Sequence, residues 1–158
     1  MAGTGTGGFS GIDWAAEQEK ERRRSSIRSA IAGKEFEVIQ KNNEISKLED
    51  ILENQMKVKA QYEEQCEVLN ANKNTKKDGS DNVRTVSKYI KFALSYSDSM
   101  DDLTVGDTAS QYKSVESEVG DYIEDDIRSL QQKIEDLKDE VTRLQQEISD
   151  LQSELASI

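Results

Sequence analysis

Few side chains in this 158-residue sequence are equipped for chemistry. It has no histidine and one cysteine, Cys66, so a His/Cys zinc site lacks its donors and an internal disulfide lacks its second thiol. Cys66 also has no imidazole to take its proton, and its place in an apolar row fits core packing better than nucleophilic attack. Glu124, Asp125 and Asp126 form a run of three acids. Calcium loops alternate their ligands around a glycine turn, whereas three consecutive helical residues point in different directions, so this run reads as a solvated face. Gly3, Gly5 and Gly8 spell G-x-G-x-x-G, but a dinucleotide site needs that loop between a strand and a helix, and no strand precedes residue 3. Carboxylate pairs are available in so acidic a chain, yet no pocket-forming sequence accompanies them. The expectation is a protein without catalytic residues, metal, cofactor or small-molecule substrate.

Other residue groupings suit recognition better than reaction. Arg22, Arg23 and Arg24 precede Ser25 and Ser26, a pattern that fits basic docking or phosphorylation, but Glu17, Glu19 and Glu21 neutralise it as a solvated helix face. Trp14, the only tryptophan, is either a partner anchor or a staple for the start of the first helix. Tyr89, Ile90 and Leu94, in the most aromatic part of the chain, are further candidate partner anchors.

The composition suits long helices that bury a narrow seam. Apolar and charged residues each make up 34% of the chain, against roughly 45–50% and about 25% in an ordinary domain. Three Phe, one Trp and five Tyr cannot fill a thick core. Proline is absent, which permits uninterrupted helices, because a helical proline costs about 3 kcal/mol. A net charge of −11 argues against nucleic acid and anionic membranes as partners. No apolar run approaches the ~20 residues that span a bilayer, so no membrane insertion is expected. The Gly/Thr-rich start lacks the regions of a secretory signal. This implies a cytoplasmic protein, or one exported without a cleaved signal peptide.

The expected fold is all-α: a long helical hairpin, or antiparallel coiled coil, with a short extra helix near the bend. Residues 1–12 read as a flexible tail and 13–72 as a long helix. Within that helix Val38, Ile45, Leu52 and Cys66 are spaced by multiples of seven, and Leu48, Tyr62 and Leu69 form a second row. Lys41, Gln55 and Lys59 dilute this stripe. Residues 73–82 are rich in Asn, Asp, Ser and Gly and read as a loop. A short amphipathic helix over 83–97 and a second loop over 98–107 follow. Over 108–158 the heptads are unbroken. Ile127, Ile134, Val141, Ile148 and Leu155 fill one seam position, while Leu130, Leu137, Leu144, Leu151 and Ile158 fill the other. These residues form the expected interaction seam.

Two mates are available to that seam. β-branched residues at the first position with Leu at the second suit a parallel dimer. Its flanking pairs, however, would include Lys133 against Lys138 and offer nothing attractive. The other mate is the 13–72 helix, which carries ten basic residues, whereas 121–158 carries eleven acidic residues against four basic ones. This asymmetry favours an intramolecular antiparallel pairing, leaving a face for another helical protein in a hetero-complex. Self-association through 123–158, as in a structural scaffold or tether, is the alternative.

Leu103, Thr104, Val105 and Gly106, followed by Ala109, Tyr112, Val119, Tyr122, Ile123 and the heptads from Ile127, form a recognisable pattern. It resembles the WXG-type helical-hairpin proteins of type VII secretion and their relatives encoded beside LXG toxins. Residues 103–106 stand where those proteins turn at a W-x-G, here without the tryptophan. The resemblance covers residues 100–158. It implies a small exported partner or targeting chaperone that binds a toxin by helix packing. It also implies a Y-x-x-x-D/E or F-x-x-x-D export signal, which Tyr122 to Asp126, Tyr112 to Glu116 and Phe9 to Asp13 spell here, Tyr122 and Asp126 being the candidate pair.

Overall fold

The computed structural model describes residues 11–86 and 91–158. Three helices account for them: α1 (Gly11–Val86), α2 (Lys91–Val105) and α3 (Asp107–Ser157), with no strand among the described residues. The protein is all-α, as its periodicity requires. The expected 1–12 tail falls almost wholly outside the described residues. Contacts divide the chain into one unit of residues 1–47 with 133–158 and a second of residues 48–132.

In the first unit α1 and α3 run antiparallel. Ile27, Ile31 and Ile45 of α1 and Ile134, Val141 and Leu144 of α3 are buried, and each such side chain stabilises by about 1.5–3 kcal/mol. On α1 the covered positions continue through Lys34, Val38 and Lys41, alternating steps of three and four as a helix pair requires. The two lysines lay their stems along the seam, leaving side-chain exposures of only 29% and 26%, and their ammonium groups pair with Glu147 and Glu140. The long stem makes this possible, because it buries methylenes while the charge stays at the edge. At one end, Arg23 pairs with Glu154 at 2.6 Å, and Arg24 donates to the Ile158 carbonyl at 3.1 Å.

The second unit repeats the antiparallel pairing over other residues. Lys59 meets Glu124 at 2.8 Å, and the Tyr62 hydroxyl donates to the Glu116 carbonyl. Gly120 lies opposite the Tyr62 ring, where an added Cβ would stand 3.8 Å from Cε1. α2 then runs back along the end of α1. The Ser80 and Ser97 hydroxyls are 2.9 Å apart, and Arg84 pairs with Asp98 at 2.6 Å and Asp101 at 2.8 Å.

The expected loop at 73–82 is helical in the structure. Ser80 is 1% exposed and hydrogen-bonds to α2, so tertiary contact overrides a weak local propensity whose largest single cost, Gly79, is only about 1 kcal/mol. The helix expected over 83–97 is also divided differently. Residues 83–86 finish α1, and 91–97 open α2, which continues to Val105. The second expected loop reduces to a bend at Gly106. The inward row of α2 is Leu94, Ser97, Asp101 and Thr104, helical in spacing but mostly polar, which is why a search for apolar periodicity misses it. At the bend the Gly106 amide donates to the carbonyls of both Asp101 and Asp102, each at 3.1 Å. A Cβ at Gly106 would stand 2.7 Å from Asp102 Cα, so the bend requires glycine.

Candidate interaction surface

The interaction seam read from the sequence is occupied within the chain. Ile127 and Leu130 face inward in the second unit, and Ile134, Leu137, Val141, Leu144, Ile148, Leu151 and Leu155 do so in the first, all buried or half-buried. The charged pairs that cross from α1 to α3 fix the register. Lys34 and Lys41 hold the Glu147 and Glu140 carboxyls below the usual carboxylate range by hydrogen bond and charge, and Lys59 does the same to Glu124.

The remaining candidates scatter. Trp14 is 67% exposed, Leu94 is half-buried, and Tyr89 and Ile90 lie outside the described residues. Tyr122 and Asp126 are both exposed, one turn apart on α3. Among the three acids, Glu124 faces Lys59 and Asp125 pairs with Arg128 at 3.0 Å. They diverge as helical geometry demands, and no metal-binding cluster occurs among the described residues. Arg24 is engaged by Glu17 at 3.7 Å and Glu21 at 3.4 Å, which with the Arg23–Glu154 pair leaves little of a free basic patch. Burial, then the neighbouring Glu116, pushes the Cys66 thiol up. Burial also lifts the Tyr62 phenol to about 12. Both groups stay protonated near neutrality, which suits packing and not nucleophilic attack.

A different surface emerges on the second unit. Gln65, Val68, Leu69 and Asn72 of α1 share a depression with Tyr112 of α3, and Glu64 is its one charged lining residue. Val58 and Ile51 lie seven and fourteen residues before Gln65 and therefore extend the same side of α1. On α3, Tyr112, Val115, Val119 and Tyr122 alternate steps of three and four outside the seam, with exposures of 47%, 57%, 38% and 71%. Ile51, Val58, Val68 and Leu69 are exposed as well. The intervening residues on this side of α1 are amides, Asn54, Gln61, Gln65 and Asn72.

Charge collects elsewhere, as where Lys59 joins Glu63 and Glu124. Exposed apolar side chains arranged singly are ordinary, whereas these follow one another along one side of the second unit. The sequence places Leu69 in the covered stripe, but it is 42% exposed. Tyr112, Val119 and Tyr122 enter only through the W-x-G-like pattern, and Val115 and Val119 stand one residue before the half-buried positions 116 and 120, which carry no apolar side chain. Past Leu69 this surface opens into a cavity of about 310 Å³ walled by Met100, Leu103, Ala109 and Tyr112, with Lys73 and Lys76 on its α1 side.

No family model, no curated protein and no solved structure matches the chain.

Proposed function

We propose that this protein is a non-catalytic helical interaction module that binds a helix of a larger client protein. The observation that carries the reading is the uncharged apolar row Tyr112, Val115, Val119 and Tyr122, exposed on a helix whose other apolar stripe is already covered. A third helix laid along this row and its neighbours on α1 would complete a small bundle, the usual way a helical pair buries a second apolar stripe. The helical seam at 123–158 supports this over a self-associating scaffold, since its side chains already have intramolecular mates. The double variant Val115→Asp/Tyr122→Asp tests the reading. It alters two well-exposed side chains, so helicity should persist while co-purification with a client encoded by a neighbouring gene is lost. Unchanged co-purification would sink the proposal.

A narrower reading makes the client a toxin and the route type VII secretion. What supports it is the accessibility of Tyr122 and Asp126, since an export signal must be reachable by its receptor. Export of the chain from a type VII-competent host should then stop in Asp126→Asn, and continued export would remove this signal from consideration.

A further inference from the structure

Four lysines of α1 hold seam positions: Lys34, Lys41, Lys59 and Lys73. Each of the first three is met by a glutamate of α3, namely Glu147, Glu140 and Glu124. Lys73 lies fourteen residues beyond Lys59, at the same heptad position, and is likewise half-buried. Among the described residues no carboxylate pairs with it, and the α3 residues beside it in the cavity wall are Thr108 and Ala109. Lys76, one turn further, is also unpaired among the described residues.

An ammonium at the edge of an apolar cavity with no ion-pair partner gains a charge-assisted hydrogen bond from an acid brought to it, and complementary charge selects that partner over a neutral one. The cavity it borders is deep enough for an apolar side chain, because Leu69, Met100 and Leu103 line about 310 Å³. In a chain of net charge −11, this is a basic edge on an apolar cavity, continuous with the uncharged row through Tyr112.

We propose that this cavity receives an amphipathic helix of the partner that inserts an apolar side chain beside Leu69 and Leu103 and places a carboxylate on Lys73. The partner supplies the glutamate that α3 provides to the other three lysines. This rests on the interaction reading above and specifies the chemistry of the partner at one end of the same surface.

The test uses the full chain and two labelled helical peptides with the same leucine stripe, one flanked by Glu and the other by Gln. Fluorescence anisotropy reads their affinities. The Glu peptide should bind about tenfold more tightly at low salt, the scale of one charge-assisted hydrogen bond, with the preference falling as salt is added. Lys73→Gln should abolish the preference, and Lys73→Arg should keep it, with circular dichroism showing both variants folded. Equal binding of the two peptides, a Glu preference surviving in Lys73→Gln, or no binding of either peptide overturns the proposal. Displacement of the Glu peptide by laurate at matched concentration also overturns it, by giving the cavity to a small amphiphile. If both peptides bind equally and Val115→Asp/Tyr122→Asp abolishes both, the interaction reading stands and the acidic requirement alone falls.

Discussion

Lys41 of α1 pairs with Glu140 of α3, one heptad along from the pairing of Lys34 with Glu147. A step of seven residues up one helix is matched by a step of seven down the other, so the two pairs together admit a single antiparallel register. Lys41, which looks like a defect in an apolar stripe, sets the alignment together with Lys34. Their stems cover the seam, and their charges reach acids that a parallel neighbour would not place there.

These pairs make stability depend on acid. The Glu140 and Glu147 carboxyls are held below their ordinary value by Lys41 and Lys34. A carboxyl with a depressed folded pKa contributes its stabilisation above the unfolded value of about 4.5 and loses it as pH falls through the folded value. Thermal melts of the wild type should therefore weaken from pH 6 to pH 3 more than those of Lys34→Met/Lys41→Met. Parallel acid limbs in the two proteins would show that the pairs contribute nothing to the pH dependence.

Leu144 is 4% exposed, among the most covered apolar residues of the first unit. Leu144→Ala should lower stability by about 2–5 kcal/mol, read as an earlier urea midpoint with an unchanged slope. Leu103→Ala, at a 55% exposed position, should cost far less.

Two glycines should respond in opposite directions to alanine. At Gly79 an added Cβ meets nothing within 4 Å, so Gly79→Ala should stabilise by about 0.5–1 kcal/mol through helix propensity. At Gly106 it meets Asp102 Cα at 2.7 Å. The bend must shift there, and Gly106→Ala should destabilise by about 1–3 kcal/mol. Thermal melts of the two variants against the wild type decide both.

The Cys66 thiol is raised by burial and by the neighbouring Glu116. Alkylation by iodoacetamide at pH 7.5 should be slower than for a free thiol in a short peptide and should reach the peptide rate in denaturing urea. Fast labelling of the native chain would mean that the seam near Tyr62 opens readily.

Much of the fold is legible in the sequence because a helix repeats its faces every three and four residues. The ten seam residues from Ile127 to Ile158, the absence of proline and the surplus of charge determine long helices with one apolar stripe. The charge asymmetry between 13–72 and 121–158 points to their mutual pairing. Tertiary structure alone decided the rest. The stretch containing Asp78, Gly79 and Ser80 has little helical preference of its own and is helical because Ser80 is packed against Ser97 and Arg84 is held by Asp98 and Asp101. The row at Tyr112, Val115, Val119 and Tyr122 lies beside the seam at the same period, so periodicity alone could not tell the covered stripe from the exposed one. Only the placement of α1 shows which side chains are buried, and only the lack of a paired carboxylate among the described residues distinguishes Lys73 from the three lysines that are paired.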